Sequence, residues 1–196
     1  GLNDVIMVSA GWRHCLALKN DGTVDGWGDN SYGQINIPSN LFDVKEVHSG
    51  NWHSLVLKED GTIEGWGDNS WNQATVPNAL DDVKSIAVGN YHNLALKNDG
   101  TVVAWGRNNN GQIDVPLGLE NIKAVAAGNF VSFAIQNDGT VIGWGNNDYG
   151  QINIPDGLSN VKNISASFHI VAHLEDNTVI TWGRNENNQI DNLPNG

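Results

Sequence analysis

Residues 82–120 of this 196-residue chain read DVKSIAVGNYHNLALKNDGTVVAWGRNNNGQIDVPLGLE, and this stretch recurs along the whole sequence. Its clearest marker is a Trp-Gly pair, whose tryptophan recurs at positions 27, 66, 105, 144 and 182, so that successive copies are 39, 39, 39 and 38 residues apart. Such a period is typical of repeat architectures, in which each unit buries its apolar face only by stacking on its neighbours. The repeats run over about 4–42, 43–81, 82–120, 121–159 and 160–196, which predicts a single domain, 1–196.

Within residues 82–120 the pattern predicts four short strands. Val83–Val88, His92–Lys97 and Thr101–Trp105 are rich in β-branched or alternating apolar residues. Asp99-Gly100 lies between the second and third strands and is typical of a hairpin turn. Gln112–Val115 is the predicted fourth strand, ended by a proline. Four antiparallel strands per repeat predict an all-β fold, a β-propeller of five four-stranded blades.

The repeat pattern, Ala-x-Gly-x-x-His-x-Leu-Ala-Leu-Lys-x-Asp-Gly-Thr-Val-x-x-Trp-Gly-x-Asn-x-x-Gly-Gln, resembles the regulator of chromosome condensation repeat. Its compact form, with Gln-x-x-x-Pro and no long insertion, is most similar to the bacterial branch that includes β-lactamase-inhibitory protein II. This resemblance implies a propeller that binds other proteins and is not an enzyme. It leaves secreted and cytoplasmic locations open and favours the secreted one.

The number of repeats departs from the family pattern, because members usually close with seven blades and this chain has five repeats. One interpretation is a five-bladed ring whose termini meet, since Pro194-Asn195-Gly196 followed by Gly1–Val5 resembles the internal join Pro155–Val161. A closed ring has no exposed sheet edges. The alternative is a fragment of a larger, for example seven-bladed, propeller.

Two loops of each repeat are predicted to lie at one end of the blade, opposite the Asp-Gly turn: the loop before the second strand and the loop after Trp-Gly. Aromatic residues recur in both loops, and such residues are enriched at binding hot spots. The predicted partner-binding residues in the first loop are Trp12, Trp52, Tyr91, Phe130 and Phe168, and those in the second are Tyr32, Trp71 and Tyr149. An alternative is that some of these rings pack between neighbouring blades.

Charges in the second loop differ from blade to blade. Asp29 and Asp68 occupy the first loop position in two repeats, whereas Arg107 and Arg184 occupy it in two others. Five equivalent sugar sites need the same residues in each copy, so this variation favours one asymmetric protein partner. The four charges would then set the orientation in which that partner binds. The next position is always Asn, which predicts a side chain that bonds the loop backbone.

Composition and the absence of known motifs argue against several classes of function. The formal net charge of −12 argues against nucleic acid as a partner, and no apolar run is long enough to span a bilayer. The recurring His14, His53, His92 and His169 are predicted to be structural, because residues on separate blades are poorly placed to share a metal. No phosphate loop, zinc motif or nucleophile–base pair is present, so no cofactor, metal or catalytic residue is predicted. Cys15 is expected to be packed, and His173 fits no part of the pattern.

These observations favour a non-enzymatic, protein-binding propeller with an aromatic-rich face. By resemblance, an inhibitor-like role toward a serine β-lactamase or a related penicillin-binding enzyme is the sharpest expectation. The alternatives are a glycan-binding lectin, a chromatin or exchange-factor role with a basic partner such as a histone, and a structural scaffold without a dedicated partner.

Overall fold

The computed structural model describes residues 1–191, which contain fifteen β-strands arranged as five three-stranded antiparallel sheets. In each sheet the strands lie side by side in chain order. The strands are β1 Val5–Ala10, β2 His14–Lys19 and β3 Val24–Gly28; β4 Val44–Ser49, β5 His53–Lys58 and β6 Ile63–Gly67; β7 Val83–Val88, β8 His92–Lys97 and β9 Val102–Gly106; β10 Ile122–Ala127, β11 Val131–Gln136 and β12 Val141–Gly145; β13 Val161–Ala166, β14 His169–Leu174 and β15 Val179–Gly183.

The first three strands of each predicted blade are therefore confirmed, but the predicted fourth strand is wrong. In the third repeat, Gln112–Val115 forms a turn and an irregular segment. Asn108 Oδ1 accepts a hydrogen bond from Ile113 N at 3.1 Å, and Asp114 N donates to the Gly111 carbonyl at 3.1 Å. These backbone donors are thus used within the loop and are not free to pair with the third strand.

The Asp-Gly hairpin turns are confirmed. In the first repeat, Asp21 Oδ1 accepts hydrogen bonds from Thr23 N at 3.0 Å and from Thr23 Oγ1 at 2.6 Å. Gly22 follows with a φ of 79°, which glycine adopts without strain. Because the threonine hydroxyl and backbone N–H favour the ionised carboxylate, the pKa of Asp21 is lowered.

Consecutive sheets pack face to face around an apolar core. We call the side of a sheet that faces the preceding sheet its leading face and the opposite side its trailing face. Leu16 and Leu18, on the trailing face of the first sheet, are fully buried against Val44 and Val47 on the leading face of the second. Equivalent clusters join the second to the third, the third to the fourth and the fourth to the fifth sheet.

A hydrogen-bonded latch crosses each of these interfaces, and the first one shows its parts. The main-chain carbonyl of Gln34 accepts from Trp66 Nε1 at 2.9 Å and from Ser54 Oγ at 2.8 Å. Ser54 Oγ also lies 3.0 Å from His14 Nε2. Because the serine proton is directed to Gln34, the serine oxygen accepts from His14, whose proton is therefore assigned to Nε2. The earlier sheet supplies a carbonyl and an imidazole, and the later sheet supplies an indole and a hydroxyl.

The latch varies in a way that keeps the donors and acceptors that cross the interface paired, although Nδ1 of His14, His53 and His92 is buried without a hydrogen-bond partner. At the second interface Asn93 takes the serine's place: it accepts from His53 Nε2 at 2.8 Å and donates to the Gln73 carbonyl at 2.8 Å. At the fourth interface Trp182 Nε1 still donates to the Gln151 carbonyl at 2.7 Å. There, however, the histidine and its acceptor are replaced together by the buried Val131 and Ile170. Exchanging both members avoids leaving a buried polar group unpaired.

Close backbone approach explains the glycines of the repeat pattern. Gly67, which follows Trp66, has a φ of 96°, and a Cβ there would lie 2.6 Å from the Trp52 carbonyl oxygen. A Cβ on Gly50 would lie 2.1 Å from His53 Cε1. Neither position has room for a side chain, so the sheets can approach and the latch histidine can fit only if glycine is present.

The two ends of the row of sheets are open, so the structure does not show the five-bladed closed ring that the sequence predicts. On the leading face of the first sheet Val8 is 67% and Trp27 45% exposed, whereas their counterparts Val47 and Trp66 are 0% and 8% exposed. The predicted join through residues 194–196 lies outside the described residues. His173 takes the place of the buried Leu18, on a trailing face that no sheet formed by residues 1–191 covers.

No helix in residues 1–191 has the length and apolar character needed to cross a membrane.

Replacing one member of the latch at a time tests its pairing. Ser132→Ile leaves the buried His92 Nε2–H, 3.0 Å from Ser132 Oγ in the parent, without an acceptor. We expect the free energy of unfolding to fall by about 1–3 kcal/mol. Adding His92→Val recreates the Val131–Ile170 pair, and the double variant should recover at least half of that loss in urea unfolding. Strictly additive losses would show that the two side chains are not coupled.

The buried latch histidines predict loss of stability in mild acid. Burial lowers the pKa of His53 and of His92 to about 4. Between the unfolded pKa of about 6.5 and the folded value of about 4, the unfolded chain binds protons that the folded chain does not, so stability falls as pH falls. At pH 5 the expected loss is about 2 kcal/mol per histidine relative to neutral pH.

His53→Gln is the control for this pH dependence, because a glutamine N–H can donate to Asn93 and does not titrate. Urea unfolding of this variant should show a loss between pH 7 and pH 5 that is smaller than the parent's by about 2 kcal/mol. An unchanged loss would assign the acid sensitivity to other groups.

Candidate functional site

The two loops predicted to share one end of each blade are tied together by the backbone. In the second repeat Asp68 N, just after β6, donates to the carbonyl of Trp52, just before β5, at 2.8 Å. The same bond joins Arg107 to Tyr91 at 2.9 Å and Arg184 to Phe168 at 3.0 Å. The loops therefore lie side by side at the end of the sheet opposite the Asp-Gly turn, as the sequence predicts.

The recurring Asn of the second loop bonds the loop backbone, which confirms the role predicted for it. Asn69 Oδ1 accepts from Ala74 N at 3.0 Å and from Thr75 N at 3.1 Å, and Asn69 Nδ2 donates to Thr75 Oγ1 at 2.8 Å. In each of the other repeats the side-chain oxygen of the equivalent asparagine likewise accepts from a backbone N–H of the loop; these residues are Asn30, Asn108, Asn147 and Asn185.

The recurring Gln of the repeat has a role that sequence reasoning missed. Gln73 Oε1 accepts from Trp71 N at 2.8 Å and so fixes the backbone of the residue at the rim of the loop. The equivalent glutamine does the same in the other four repeats, for Tyr32, Asn110, Tyr149 and Asn187. The main-chain carbonyl of Gln73 is also the acceptor of a latch, so one residue joins the sheet interface to the rim.

Asp29 and Asp68 are held inside their loops. Asp68 Oδ1 accepts from Ser70 Oγ at 2.6 Å and Oδ2 accepts from Gln73 Nε2 at 2.7 Å, and the residue is 8% exposed. Asp29 makes the equivalent bonds to Ser31 and Gln34, and the Ser31 hydroxyl is the main reason that its pKa is lowered. Both carboxylates thus shape the loops, and direct contact of either with a partner stays a prediction.

The predicted aromatic residues form a continuous surface across the first three sheets. Trp52 lies at its centre: its ring centroid is 5.1 Å from that of Tyr32, 5.2 Å from that of Trp12 and 5.6 Å from that of Tyr91. Trp52 thus packs between rings from both neighbouring repeats, as the alternative interpretation expects for some of these rings, and the role of the rings in binding a partner stays a prediction. Four rings remain well exposed, at 39–59%: Trp12, Tyr32, Trp71 and Tyr149.

Arginines extend this surface to the remaining rings. The guanidinium carbon of Arg107 lies 5.1 Å from the ring centroid of Trp71, 5.6 Å from that of Tyr91 and 5.3 Å from that of Phe130. Arg184 lies 4.9 Å from the ring of Tyr149 and 5.3 Å from that of Phe168, and these two rings meet edge to face. Cation–π contacts of this kind hold an arginine in place.

Arg13 is a member of this surface that sequence reasoning missed. It precedes His14 at the position where the next repeats carry Trp52 and Tyr91, and its guanidinium lies 4.9 Å from the ring of Trp12. The sequence contains a signal that could have identified Arg13, because the chain has three arginines and all of them fall in these loops. We call the eight predicted aromatic residues together with Arg13, Arg107 and Arg184 the aromatic–arginine face.

Two of these arginines have unused donors. Within residues 1–191, Arg13 and Arg107 make no ion pair, and Arg107 Nε is buried without a hydrogen-bond acceptor. Arg184, in contrast, pairs with Glu186. The three guanidinium groups share these loops with the carboxylates of Asp29, Asp68, Asp148 and Glu186, and the whole chain has a formal net charge of −12.

A depression of about 380 Å³ lies within the face. Aromatic rings and amide side chains line it, namely Trp12, Tyr91, Phe130, Phe168, Asn51, Asn90 and Asn129. In the part of the chain that the structure describes, no group of three or more His, Cys, Asp or Glu side chains could hold a metal ion. The groups that line the depression can stack on a ligand and form hydrogen bonds with it.

Comparison with known families assigns the repeat. The model of the regulator of chromosome condensation (RCC1) repeat matches residues 5–34, 44–73, 83–112 and 122–151. The chain belongs to this family. The matched segments run from the first strand of a sheet to the recurring glutamine, and they lie in the first four repeats. Membership of the bacterial branch named above stays a prediction.

Related proteins share the fold over most of the chain. Yeast RCC1 (Prp20), in a structure bound to Kap60, is 21% identical with a TM-score of 0.81, over 97% of this chain and 59% of that one. Human WBSCR16 is 22% identical with a TM-score of 0.78, over 93% and 63% of the two chains. The ultraviolet-B receptor UVR8 of Arabidopsis thaliana is 46% identical over 37 residues, which are 19% of this chain and 8% of the receptor. The chain thus spans less than two thirds of the length of these relatives.

Two adjacent asparagines allow a matched test of the loop architecture. Asn108 bonds Ile113 N at 3.1 Å and Asp114 Oδ1 at 2.7 Å, whereas Asn109 is exposed and makes no side-chain hydrogen bond within the described residues. We expect Asn108→Ala to lower the free energy of unfolding by about 1–2 kcal/mol and Asn109→Ala to change it by less than about 0.5 kcal/mol. Equal effects in thermal unfolding would contradict the structural role of the recurring Asn.

Proposed function

We propose that this chain is a non-enzymatic protein-binding propeller that uses its aromatic–arginine face to bind a carboxylate-rich surface of one partner protein. The observation that carries the proposal is the placement of all three arginines over exposed or half-buried rings of one face. Two of the three, Arg13 and Arg107, make no ion pair within residues 1–191, although Arg13 lies near enough to Asp29 to help lower the pKa of that carboxyl.

The composition of the face supports binding to a protein. Trp, Tyr and Arg are the residue types most enriched at interface hot spots, where each can contribute about 2 kcal/mol or more. Stacking on Trp71, Tyr91 and Phe130 restricts the Arg107 guanidinium before any partner arrives, which lowers the conformational entropy lost on binding. A guanidinium with free donors is suited to paired hydrogen bonds with a carboxylate.

The irregularity of the face supports a single partner over several equivalent ligands. The glutamine-anchored rim position carries a different residue from repeat to repeat, in the order Tyr32, Trp71, Asn110, Tyr149 and Asn187. A constant loop skeleton with a variable rim suits one asymmetric surface. The same variation weakens the lectin alternative, which needs similar sugar sites in each repeat.

The partners of the structural relative Prp20 also support a protein as the binding partner. The structure reports on yeast Prp20 name Gsp1p, histones and Kap60 as proteins that it binds. Those proteins are partners of Prp20. For this chain they support only the class of partner, namely a protein. An inhibitory role toward a β-lactamase, which the resemblance to the bacterial branch implies, stays a prediction, because the face described above suits any protein that presents carboxylates in the right arrangement.

A comparison of two double variants tests the proposal. Trp12→Ala/Trp71→Ala removes two exposed indoles from the face, and the control Phe42→Ala/Leu117→Ala removes two exposed apolar side chains from outside it. In quantitative affinity capture from an extract of the producing organism, we expect one protein to be retained by the parent and the control. The face variant should retain at least about tenfold less of it.

Equal retention by the parent and the face variant would contradict the proposed face. Sugar binding in a glycan array that the parent shows and the face variant loses would instead favour the lectin alternative. Circular dichroism of both variants checks that the fold is kept, as expected for substitutions of exposed side chains.

A further inference from the structure

A central cavity of about 260 Å³ lies between the first strands of the five sheets. The last residue of each of these strands lines it, and these residues are Ala10, Ser49, Val88, Ala127 and Ala166. Because all five described repeats contribute to the lining, the cavity is a feature of the whole arrangement of sheets and not of either end of the row.

The central cavity adjoins the depression of about 380 Å³ in the aromatic–arginine face. The two share four lining residues, namely Trp12, Asn51, Asn90 and Asn129. Loop residues line the depression and strand ends line the cavity, so the cavity is the deeper of the two. We call the depression and the cavity together the central funnel. No charged side chain of residues 1–191 lines either part of it.

Three asparagines at equivalent positions of consecutive repeats supply amide groups to the funnel. Asn51 N donates to the Asn90 carbonyl at 3.0 Å, and Asn90 N donates to the Gly128 carbonyl at 3.3 Å, which holds the backbone of both residues in place. Within residues 1–191 the side-chain amides of Asn51 and Asn90 make no hydrogen bond, and Asn129 Oδ1 accepts only from Ser167 Oγ, at 3.4 Å. All three amides therefore have N–H groups available to a ligand.

This lining favours an uncharged chain segment over a charged side chain. An amide side chain has donors and an acceptor, as a peptide group has, so the two can pair through two hydrogen bonds. A carboxylate only accepts and an ammonium only donates, so either would leave part of each amide unpaired once a partner covers the funnel, which is costly. The central cavity is smaller than the roughly 300 Å³ at which pockets for whole small molecules begin, so it suits a single side chain.

A cationic group stands beside this uncharged funnel. Arg107 stacks on Tyr91 and Phe130, and both of these rings line the depression. Its guanidinium makes no ion pair within residues 1–191, and its Nε is buried without an acceptor. A carboxylate is therefore accommodated next to the funnel but not inside it.

We propose that the partner protein inserts a loop with an uncharged tip into the central funnel. This inference rests on the proposed function. Peptide groups of the tip pair with the side-chain amides of Asn51, Asn90 and Asn129, and one apolar side chain of the tip fills the central cavity. An Asp or Glu beside the tip binds Arg107. The funnel thus selects a loop by its neutral tip and by the carboxylate next to it.

The probe for this test is a phage library of short random peptides, each closed into a loop by a disulfide, because closure lowers the entropy lost on binding. We expect peptides selected on the immobilised parent chain to share an uncharged centre next to an Asp or Glu. Ala10→Trp places an indole in the central cavity, and the selected peptides should bind this variant at least about tenfold more weakly. Leu117→Trp, at a fully exposed residue outside the funnel, should bind them like the parent.

Asn90→Asp tests the amide chemistry without filling the cavity. The carboxylate has nearly the size of the amide but has no N–H to donate and adds a charge, so binding of the selected peptides should again fall at least about tenfold. Asn78→Asp makes the same change at an exposed residue outside the funnel and should leave binding unchanged. Circular dichroism checks that each variant keeps the fold.

Three results would each overturn the loop proposal: no enrichment of any peptide, enrichment of peptides with a charged centre, or equal binding to the parent and to Ala10→Trp. Peptides that bind Ala10→Trp like the parent but are lost by Trp71→Ala would overturn it while leaving the proposed function standing, since Trp71 lies in the face but not in the funnel. Peptides that neither variant weakens would contradict both. Sugar binding in a glycan array that Ala10→Trp abolishes would assign the funnel to a sugar instead.

Discussion

The structure depends on a single main-chain carbonyl in each of the first four repeats, that of the recurring glutamine, which accepts hydrogen bonds from the next sheet. A Trp indole donates to it at all four internal interfaces, at 2.7–3.1 Å. At three of them Ser54, Asn93 or Ser132 donates to the same oxygen. Each bond contributes only about 1 kcal/mol net, but leaving one buried donor unpaired costs more. The latch therefore selects one packing of each sheet on the next, while the apolar cores supply most of the stabilisation.

The same glutamine couples this scaffold to the surface. Its carbonyl serves the sheet interface, and its side-chain oxygen holds the backbone of the rim residue in all five loops. With the recurring Asn it forms a loop skeleton that is independent of the residue at the rim. This separation explains how Tyr32, Trp71 and Asn110 can occupy equivalent positions without a change of loop path. A face built in this way can change its specificity by substitution at the rim alone.

Much of this architecture could be predicted from one sequence, because the repeat period and the alternating strands are local signals. The bounds of β7 and β8 and the Asp-Gly turns needed nothing more. The prediction of a fourth strand was wrong. Ile113 N donates to the Asn108 side chain and is therefore not available for strand pairing, and strand propensities do not account for such a bond. Arg13 was missed, because the first repeat shifts its aromatic residue by one position. A closed five-bladed ring and a part of a larger propeller stayed alternatives, because the curvature between sheets that decides between them leaves no local signal in the sequence.

Hydrogen exchange of the tryptophan indoles shows whether the latch holds neighbouring sheets together. In a nitrogen-15-labelled sample, the Nε1–H groups of Trp66, Trp105, Trp144 and Trp182 report on the four latches. Those of Trp12 and Trp71, on the exposed rim, serve as the internal reference. We expect the four latch indoles to exchange at least about a hundredfold more slowly than the two rim indoles, because they open only when neighbouring sheets separate. Exchange of the latch indoles at the rim rate would contradict it.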